Sequence, residues 1–244
     1  MKPSLIAIVP AAGIGARAGG ADGVPKQYRL LEGEPMLRRA VRALLADPRI
    51  AEVRVAVSAT DAWAAQALAG LPRTVWRPCG GPTRAATVRA ALQDAALAAD
   101  AWVLVHDAAR PGLPAPVLAR LIDACLQHEQ GGLLALPVAD TVKQAMPARR
   151  QGVDALPLET IAATLPREHL WLAQTPQMFR AGELSAALDA CTADERVTDE
   201  ASAVELSGGR PPLLVPGSRR NDKLTWPEDF EWFESWLRGQ AQRP

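Results

Sequence analysis

The chain has 244 residues, 48% hydrophobic and 22% charged, which suits a globular protein with one sizeable core, read as a single domain over 1–244. Lys plus Arg equals Asp plus Glu at 27 each, so no global field favours nucleic acid or an acidic membrane surface, and any polyanion must be gripped locally. Cys79, Cys125 and Cys191 are odd in number and widely spaced without a C-x-x-C pair, which disfavours a disulfide framework or zinc site and points to a reducing cytoplasm.

Met1-Lys2-Pro3-Ser4 leads straight into Leu5-Ile6-Ala7-Ile8-Val9, so no targeting segment is expected, and no apolar run approaches the ~20 residues of a membrane span. Leu5 to Val9 reads as a buried strand. The stretch Pro10-Ala11-Ala12-Gly13-Ile14-Gly15-Ala16-Arg17 follows at its carboxyl end, where open α/β sheets bind ligands. Glycines there let backbone N–H groups approach phosphate oxygens, and Arg17 and Lys26 add two cations. Gly13 to Ala18 formally satisfies a dinucleotide-binding pattern, but Gly19, Gly20, Gly23 and Pro25 keep a helix from following. No G-K-[ST] ending marks a P-loop.

Pro35 to Ala46 places Leu37, Val41, Leu44 and Leu45 at helical spacing, and strands are predicted at Val53 to Val57 and Thr74 to Trp76. Gly80-Gly81-Pro82 then opens an alanine-rich helix from Thr83 to Ala99, with Pro82 suited to a helix start and the amino terminus suited to anions. The apolar run Trp102 to His106 predicts a strand that delivers Asp107 to its carboxyl edge, beside the first loop. Asp107 is the expected Mg²⁺ ligand, since such sites take one or two carboxylates and complete the shell with phosphate and water; a strand-end aspartate capping a turn is the alternative. His106 alternates to the opposite face and reads as structural.

A helix over Pro114 to Gln130 and strands at Leu133 to Val138 and Leu213 to Val215 continue the alternation. The fold class is therefore α/β, a single Rossmann-like three-layer domain with a mostly parallel sheet. Residues 139–172 break the pattern with Pro147, Gly152, Pro157 and Pro166 and short alternating pieces, which reads as an extended β-hairpin leaving the sheet. Docking on a second subunit and folding back as a surface insertion both remain open for it. Thr198 precedes Asp199-Glu200 at an expected helix start and can serve as its N-cap, and Thr225 with Glu228 reads as a capping box.

Pro10 to Arg17 with Pro25-Lys26-Gln27-Tyr28 resembles the signature loop of the sugar-nucleotide nucleotidyltransferases. Gly80-Gly81-Pro82-Thr83-Arg84, Val105-His106-Asp107-Ala108-Ala109-Arg110-Pro111, Thr198-Asp199-Glu200-Ala201-Ser202 and Asn221-Asp222-Lys223-Leu224-Thr225 follow in order. Over about Val9 to Asp229 this set is similar to the 2-C-methyl-D-erythritol 4-phosphate cytidylyltransferase family. The resemblance implies transfer of CMP from CTP to methylerythritol phosphate in the non-mevalonate isoprenoid pathway, with Mg²⁺, by a homodimer with interlocked arms. It implies catalytic roles for Arg17, Lys26 and Lys223, and nucleotide contacts from Pro10, Ala11, Ala12, Gly13, Gly15, Gly81, Arg84, Thr87 and Asp107. It also implies acceptor contacts from Ala108, Arg110, Thr141, Arg167, Thr175, Thr198 and Lys223, with Thr141 and Arg167 reaching the partner's site from the arm. Where the family commonly has an acidic residue after the paired glycines, this chain has Pro82.

The reaction needs positioning and charge stabilisation rather than a nucleophilic side chain, consistent with the absence of a recognisable nucleophile constellation. The alternatives are a cytidylyltransferase acting on another polyol phosphate such as ribitol phosphate, a non-catalytic nucleotide-binding regulator, and a nicotinamide oxidoreductase.

Overall fold

The computed structural model describes residues 5–13, 23–146, 159–191 and 196–241. In chain order they form β1 (Leu5–Pro10), a 3-10 turn (Lys26–Tyr28), β2 (Leu30–Leu31), β3 (Glu34–Pro35), α1 (Met36–Leu45), β4 (Ile50–Ala56), α2 (Ala64–Ala67), β5 (Thr74–Arg77) and α3 (Arg84–Ala95). Then come β6 (Trp102–Val105), α4 (Ala115–His128), β7 (Gly132–Pro137), β8 (Val142–Ala145), β9 (Ile161–Leu165) and β10 (Trp171–Arg180). The chain ends through α5 (Ala181–Ala190), α6 (Glu200–Leu206), β11 (Leu213–Pro216) and α7 (Pro227–Ala241).

Seven strands make one sheet in the order β11-β7-β10-β6-β1-β4-β5. β1 pairs in parallel with both β4 and β6, so the chain builds outward on one side of β1 and then crosses to its other side. The carboxyl ends of β1 and β6 therefore meet at a topological switch point, the position where open α/β sheets bind ligands.

Side-chain alternation along the strands separates two packed faces. Leu5, Ala7, Val9 and Leu104 pack with Leu37, Val41, Leu118 and Ile122 of α1 and α4. Ile8, Val103 and Val105 pack with Val88, Leu184 and Val204 of α3, α5 and α6. Such strands are buried on both sides, which is why they read as unbroken apolar runs. A third cluster, Leu31, Met36, Leu224, Phe230 and Phe233, seats α7 against the segment that carries Lys223.

Three elements differ from the sequence expectations. The first is β10, an antiparallel strand between β6 and β7 in the middle of the sheet. Pro176 and the polar run Gln174-Thr175 hide it, because proline in a central strand argues against one. The ladder to β7 is irregular between Ala173 and Gln177, and the proline is accommodated there. The second is α3, which stops at Ala95 rather than Ala99: Ala96 takes a left-handed conformation, and the amides of Ala181 and Gly182 claim the carbonyls of Ala101 and Ala99. The third concerns helix caps. Asp199, not Thr198, caps α6 in a reciprocal box with Ser202, and the carboxylate of Asp229, not Glu228, accepts from the Thr225 and Trp226 amides. Asp199 is the extended residue directly before the helix, so its carboxylate meets the Ser202 amide at 2.9 Å, and Asp229 stands three residues past Trp226.

Of the segment expected to leave the sheet, 139–172, residues 147–158 lie outside the described residues. β8 and β9 pair antiparallel as a separate two-stranded sheet, Val142 opposite Leu165 and Lys143 opposite Thr164. Its far boundary is shorter than 172, since Trp171 and Leu172 already pair with Pro137 and Leu136 as the start of β10.

Candidate active site

The loop leaving β1 is held open by close backbone approach. The Ala11 amide donates to the Ala56 carbonyl at 2.8 Å, and the Gly80 amide donates to Val57 at 2.8 Å. A Cβ on Gly80 would stand 2.2 Å from the Ala12 Cβ and 2.7 Å from the Val57 oxygen, so this position excludes every side chain. The buried Gln27 amide donates to the Ala11 carbonyl at 2.7 Å and thereby anchors the 3-10 turn that carries Lys26 beside the loop. The Lys26 ammonium lies 5.9 Å from the centre of the Phe230 ring. Arg17 and Gly15 lie outside the described residues.

The opposite wall is the start of α3. The Thr83 hydroxyl caps the helix by accepting from the Ala86 amide at 3.1 Å. The Thr87 hydroxyl accepts from the Gly81 amide at 3.1 Å and donates to the Thr83 carbonyl at 2.9 Å, tying the glycine turn to the first helical turn. Arg84 is spent on two carboxylates: Nε donates to Asp107 Oδ1 at 2.8 Å, and the two terminal nitrogens donate to the two Glu200 oxygens at 2.7 and 2.9 Å.

Asp107 closes the floor. Its Oδ2 is 3.0 Å from the Lys223 ammonium and 3.7 Å from Arg110 Nε. Burial alone would raise its pKa, but the charges of Arg84, Lys223 and Arg110 overcome that and hold the carboxyl far below the usual carboxylate range. The Asp107 amide donates to the Thr175 hydroxyl at 2.9 Å, and that hydroxyl, 3.0 Å from His106 Nδ1, has its own proton left to give to the ring. The other ring nitrogen, Nε2, then donates to the Arg110 carbonyl at 3.0 Å. Burial pushes the His106 pKa down to about 4, so the ring is neutral at pH 7. The structural reading of His106 fits this placement.

The Lys223 segment is fixed from behind. Asn221, fully buried, donates to the Thr175 carbonyl at 2.7 Å, and its own carbonyl accepts from Arg110 at 2.8 Å. The Gln174 side chain donates to Asp222 and to the Ser218 carbonyl, each at 3.0 Å. The irregularity in β10 is thus what turns Gln174 and Thr175 toward the site.

These walls enclose a pocket of about 270 Å³ lined by Pro10, Ala11, Ala12, Gly13, Lys26, Gly81, Arg84, Thr87, Asp107, Ala108 and Lys223, among others. Eleven expected residues therefore converge. Arg110 and Thr175 are buried behind the floor as braces, Thr198 is exposed beside α6, and Thr141 and Arg167 are exposed at the hairpin, all outside the lining. Arg167 there donates to the Ala139 carbonyl. Sequence reasoning missed Gln27, Gln174, Asn221 and Glu200 as supports; each stands within two residues of one already singled out.

Asp107 is the carboxylate in the pocket lining, and among the described residues no three His, Cys, Asp or Glu side chains gather as a metal group. Asp107 nonetheless suits a Mg²⁺ that brings phosphate oxygens with it: it is ionised, faces the pocket, and keeps lone pairs beyond those given to Arg84 and Lys223.

A family model described as 2-C-methyl-D-erythritol 4-phosphate cytidylyltransferase matches residues 5–239. The chain is similar to the protein of that name from Bordetella pertussis, 68% identical over 240 residues that span 97% of this chain and 100% of the relative. It is also similar to a bifunctional enzyme IspD/IspF from Albidiferax ferrireducens, 46% identical, with 93% of this chain matched to 51% of that longer protein. A crystal structure of 4-diphosphocytidyl-2C-methyl-D-erythritol synthase superposes with a TM-score of 0.80 at 37% identity, covering 97% of this chain and 100% of the other. The Francisella tularensis 2-C-methyl-D-erythritol 4-phosphate cytidylyltransferase superposes with a TM-score of 0.75 at 33% identity, covering 95% and 98%.

Proposed function

We infer the chemistry of this pocket from the premise that the chain belongs to the 2-C-methyl-D-erythritol 4-phosphate cytidylyltransferase family. It is a nucleotidyltransferase that moves the cytidylyl group of CTP onto 2-C-methyl-D-erythritol 4-phosphate in isoprenoid biosynthesis. An oxygen of the acceptor phosphate bonds to the α-phosphorus of CTP, the bond from that phosphorus to the bridging oxygen breaks, and pyrophosphate leaves with the electron pair. Negative charge gathers on the α-phosphate and on the departing group, so cations fixed in advance are the main catalytic resource.

The observation that carries the residue assignment is the convergence of Lys26, Arg84, Asp107 and Lys223 on one pocket at the switch point of the sheet. In this reading Lys26, with Arg17, grips the triphosphate and stabilises the leaving pyrophosphate, while the backbone at Ala12, Gly13 and Gly81 lines the nucleotide. Lys223, parked on Asp107, offers a cation to the reacting phosphates. Asp107 is the residue that would hold a Mg²⁺ brought with CTP, and such an ion would offset phosphate charge. Arg110 and Thr175 keep the floor and the Lys223 segment in register.

The same reading makes the enzyme a cytoplasmic homodimer of single-domain subunits. Its support is the hairpin with its root, which together expose Met146, Ile161, Leu165, Leu170 and, at the start of β10, Leu172, an apolar surface suited to a second copy. Thr141, Arg167 and Thr198 complete the acceptor side, the first two from the partner. Among the described residues no helix is long and apolar enough to cross a membrane. Incubation with CTP, Mg²⁺ and methylerythritol phosphate should yield a cytidine diphosphate sugar alcohol and pyrophosphate. Faster turnover of ribitol 5-phosphate under the same conditions would reassign the acceptor.

A further inference from the structure

Glu200 does not line the pocket, yet it is 1% exposed and gives both carboxylate oxygens to Arg84. Its mount is rigid. It is the first residue of α6, whose start is fixed by the Asp199–Ser202 box and by Gln177, which accepts from the Ala201 amide at 2.8 Å and donates to Asp199 at 2.8 Å. Arg84 spans from this mount to the pocket floor, where its Nε reaches Asp107 Oδ1.

We propose that Glu200 is a positioning residue for cytidylyl transfer: it fixes the plane of the Arg84 guanidinium so that Arg84 takes one Asp107 oxygen and leaves the other to Lys223. The inference rests on the assignment of Arg84, Asp107 and Lys223 to the reacting site made above. The physical reason is the geometry of arginine. A guanidinium prefers two parallel hydrogen bonds to one carboxylate, and an Arg84 without Glu200 has its terminal nitrogens available for Asp107 Oδ2. It would then compete with the Lys223 ammonium, which sits 3.0 Å from that oxygen on a side chain 42% exposed. Clamping the fork on Glu200 removes this competition.

The test compares Glu200→Gln, Arg84→Lys and their double variant in the full-length enzyme, with CTP, methylerythritol phosphate and Mg²⁺. Glu200→Gln keeps the shape but loses the charge and the second acceptor oxygen. Arg84→Lys keeps the charge but cannot fork to Glu200 while holding Asp107. Each should lower kcat about tenfold or more, with the KM for CTP changed less than about threefold, and the double variant should be no worse than the weaker single one. A wild-type kcat in Glu200→Gln, or losses that multiply in the double variant, overturns the proposal. If Glu200→Gln does not fold, Arg84→Lys alone decides: a wild-type kcat there overturns the proposal and a tenfold loss at constant KM supports it. Arg84→Ala separates the two levels. Full activity in that variant removes Arg84 from the site and the inference with it, whereas impairment of Arg84→Ala with full activity in the other two overturns only the role of Glu200.

Discussion

The pocket at the ends of β1 and β6 and the hairpin of β8 and β9 are built on opposite principles. Pocket side chains are braced several times over: Asp107 meets three cations, Arg84 is held at both ends, and Gln27, Asn221 and Gln174 tie the loops to one another. On the hairpin the cross-strand contact of Lys143 with Thr164 is exposed, and apolar Ile161 and Leu165 face outward. A surface that must present fixed charge to a polyanion is ordered before the ligand arrives. In the proposed homodimer, the hairpin would keep its apolar groups uncovered until a second copy docks.

The sharpest way to break this contrast is at Lys26. Lys26→Ala should lower kcat by ~10²-fold or more with a normal melting temperature, because it removes charge stabilisation without opening the core. Wild-type turnover would dissolve the catalytic reading of the pocket. Arg167→Ala, on the hairpin, should also be severely impaired alone. Mixing it with Lys26→Ala after subunit exchange should restore about a quarter of wild-type activity, the share of intact sites in randomly paired dimers. No recovery in verified heterodimers would mean that the arm serves its own subunit.

Smaller effects test the bracing itself. His106 has a folded pKa of about 4, lowered chiefly by burial, against an unfolded value near 6.5. Between those values the unfolded chain binds the extra proton, so the stabilisation is complete above pH 6.5 and is lost as pH falls toward 4. The loss is on the order of 3 kcal/mol and is measurable by urea unfolding of the ligand-free protein. His106→Gln should flatten that slope. Gly80→Ala should cost about 1–3 kcal/mol in thermal unfolding, because its Cβ meets Ala12 and a backbone oxygen. Ile161→Ser should change subunit stability by less than about 0.5 kcal/mol, since the side chain is 61% exposed, while weakening self-association in sedimentation.

The same contrast decides what could be read in advance. β1, β6 and β7 were legible because burial on both faces demands continuous apolar runs, β4 because buried Val53 and Val55 alternate with Glu52 and Arg54, and their order placed Lys26 and Asp107 together. β10 was not legible, since its function requires polar Gln174 and Thr175 and a proline where a strand predicts apolar residues. Nor was the Arg84–Glu200 pair, which joins residues 116 positions apart and depends on where α6 packs. Thr141 and Arg167 are placed at the hairpin by the fold, but the contacts implied for them belong to an assembly rather than to one chain.

β10 begins at the root of the hairpin with Trp171 and reaches Thr175, whose hydroxyl seats the Asp107 amide, within a single short run of extended chain. β10 thus connects the hairpin to the pocket floor through one element. In the proposed homodimer, assembly and chemistry would therefore be joined through this one strand, and ligands that displace the hairpin would act on Asp107 without competing with CTP.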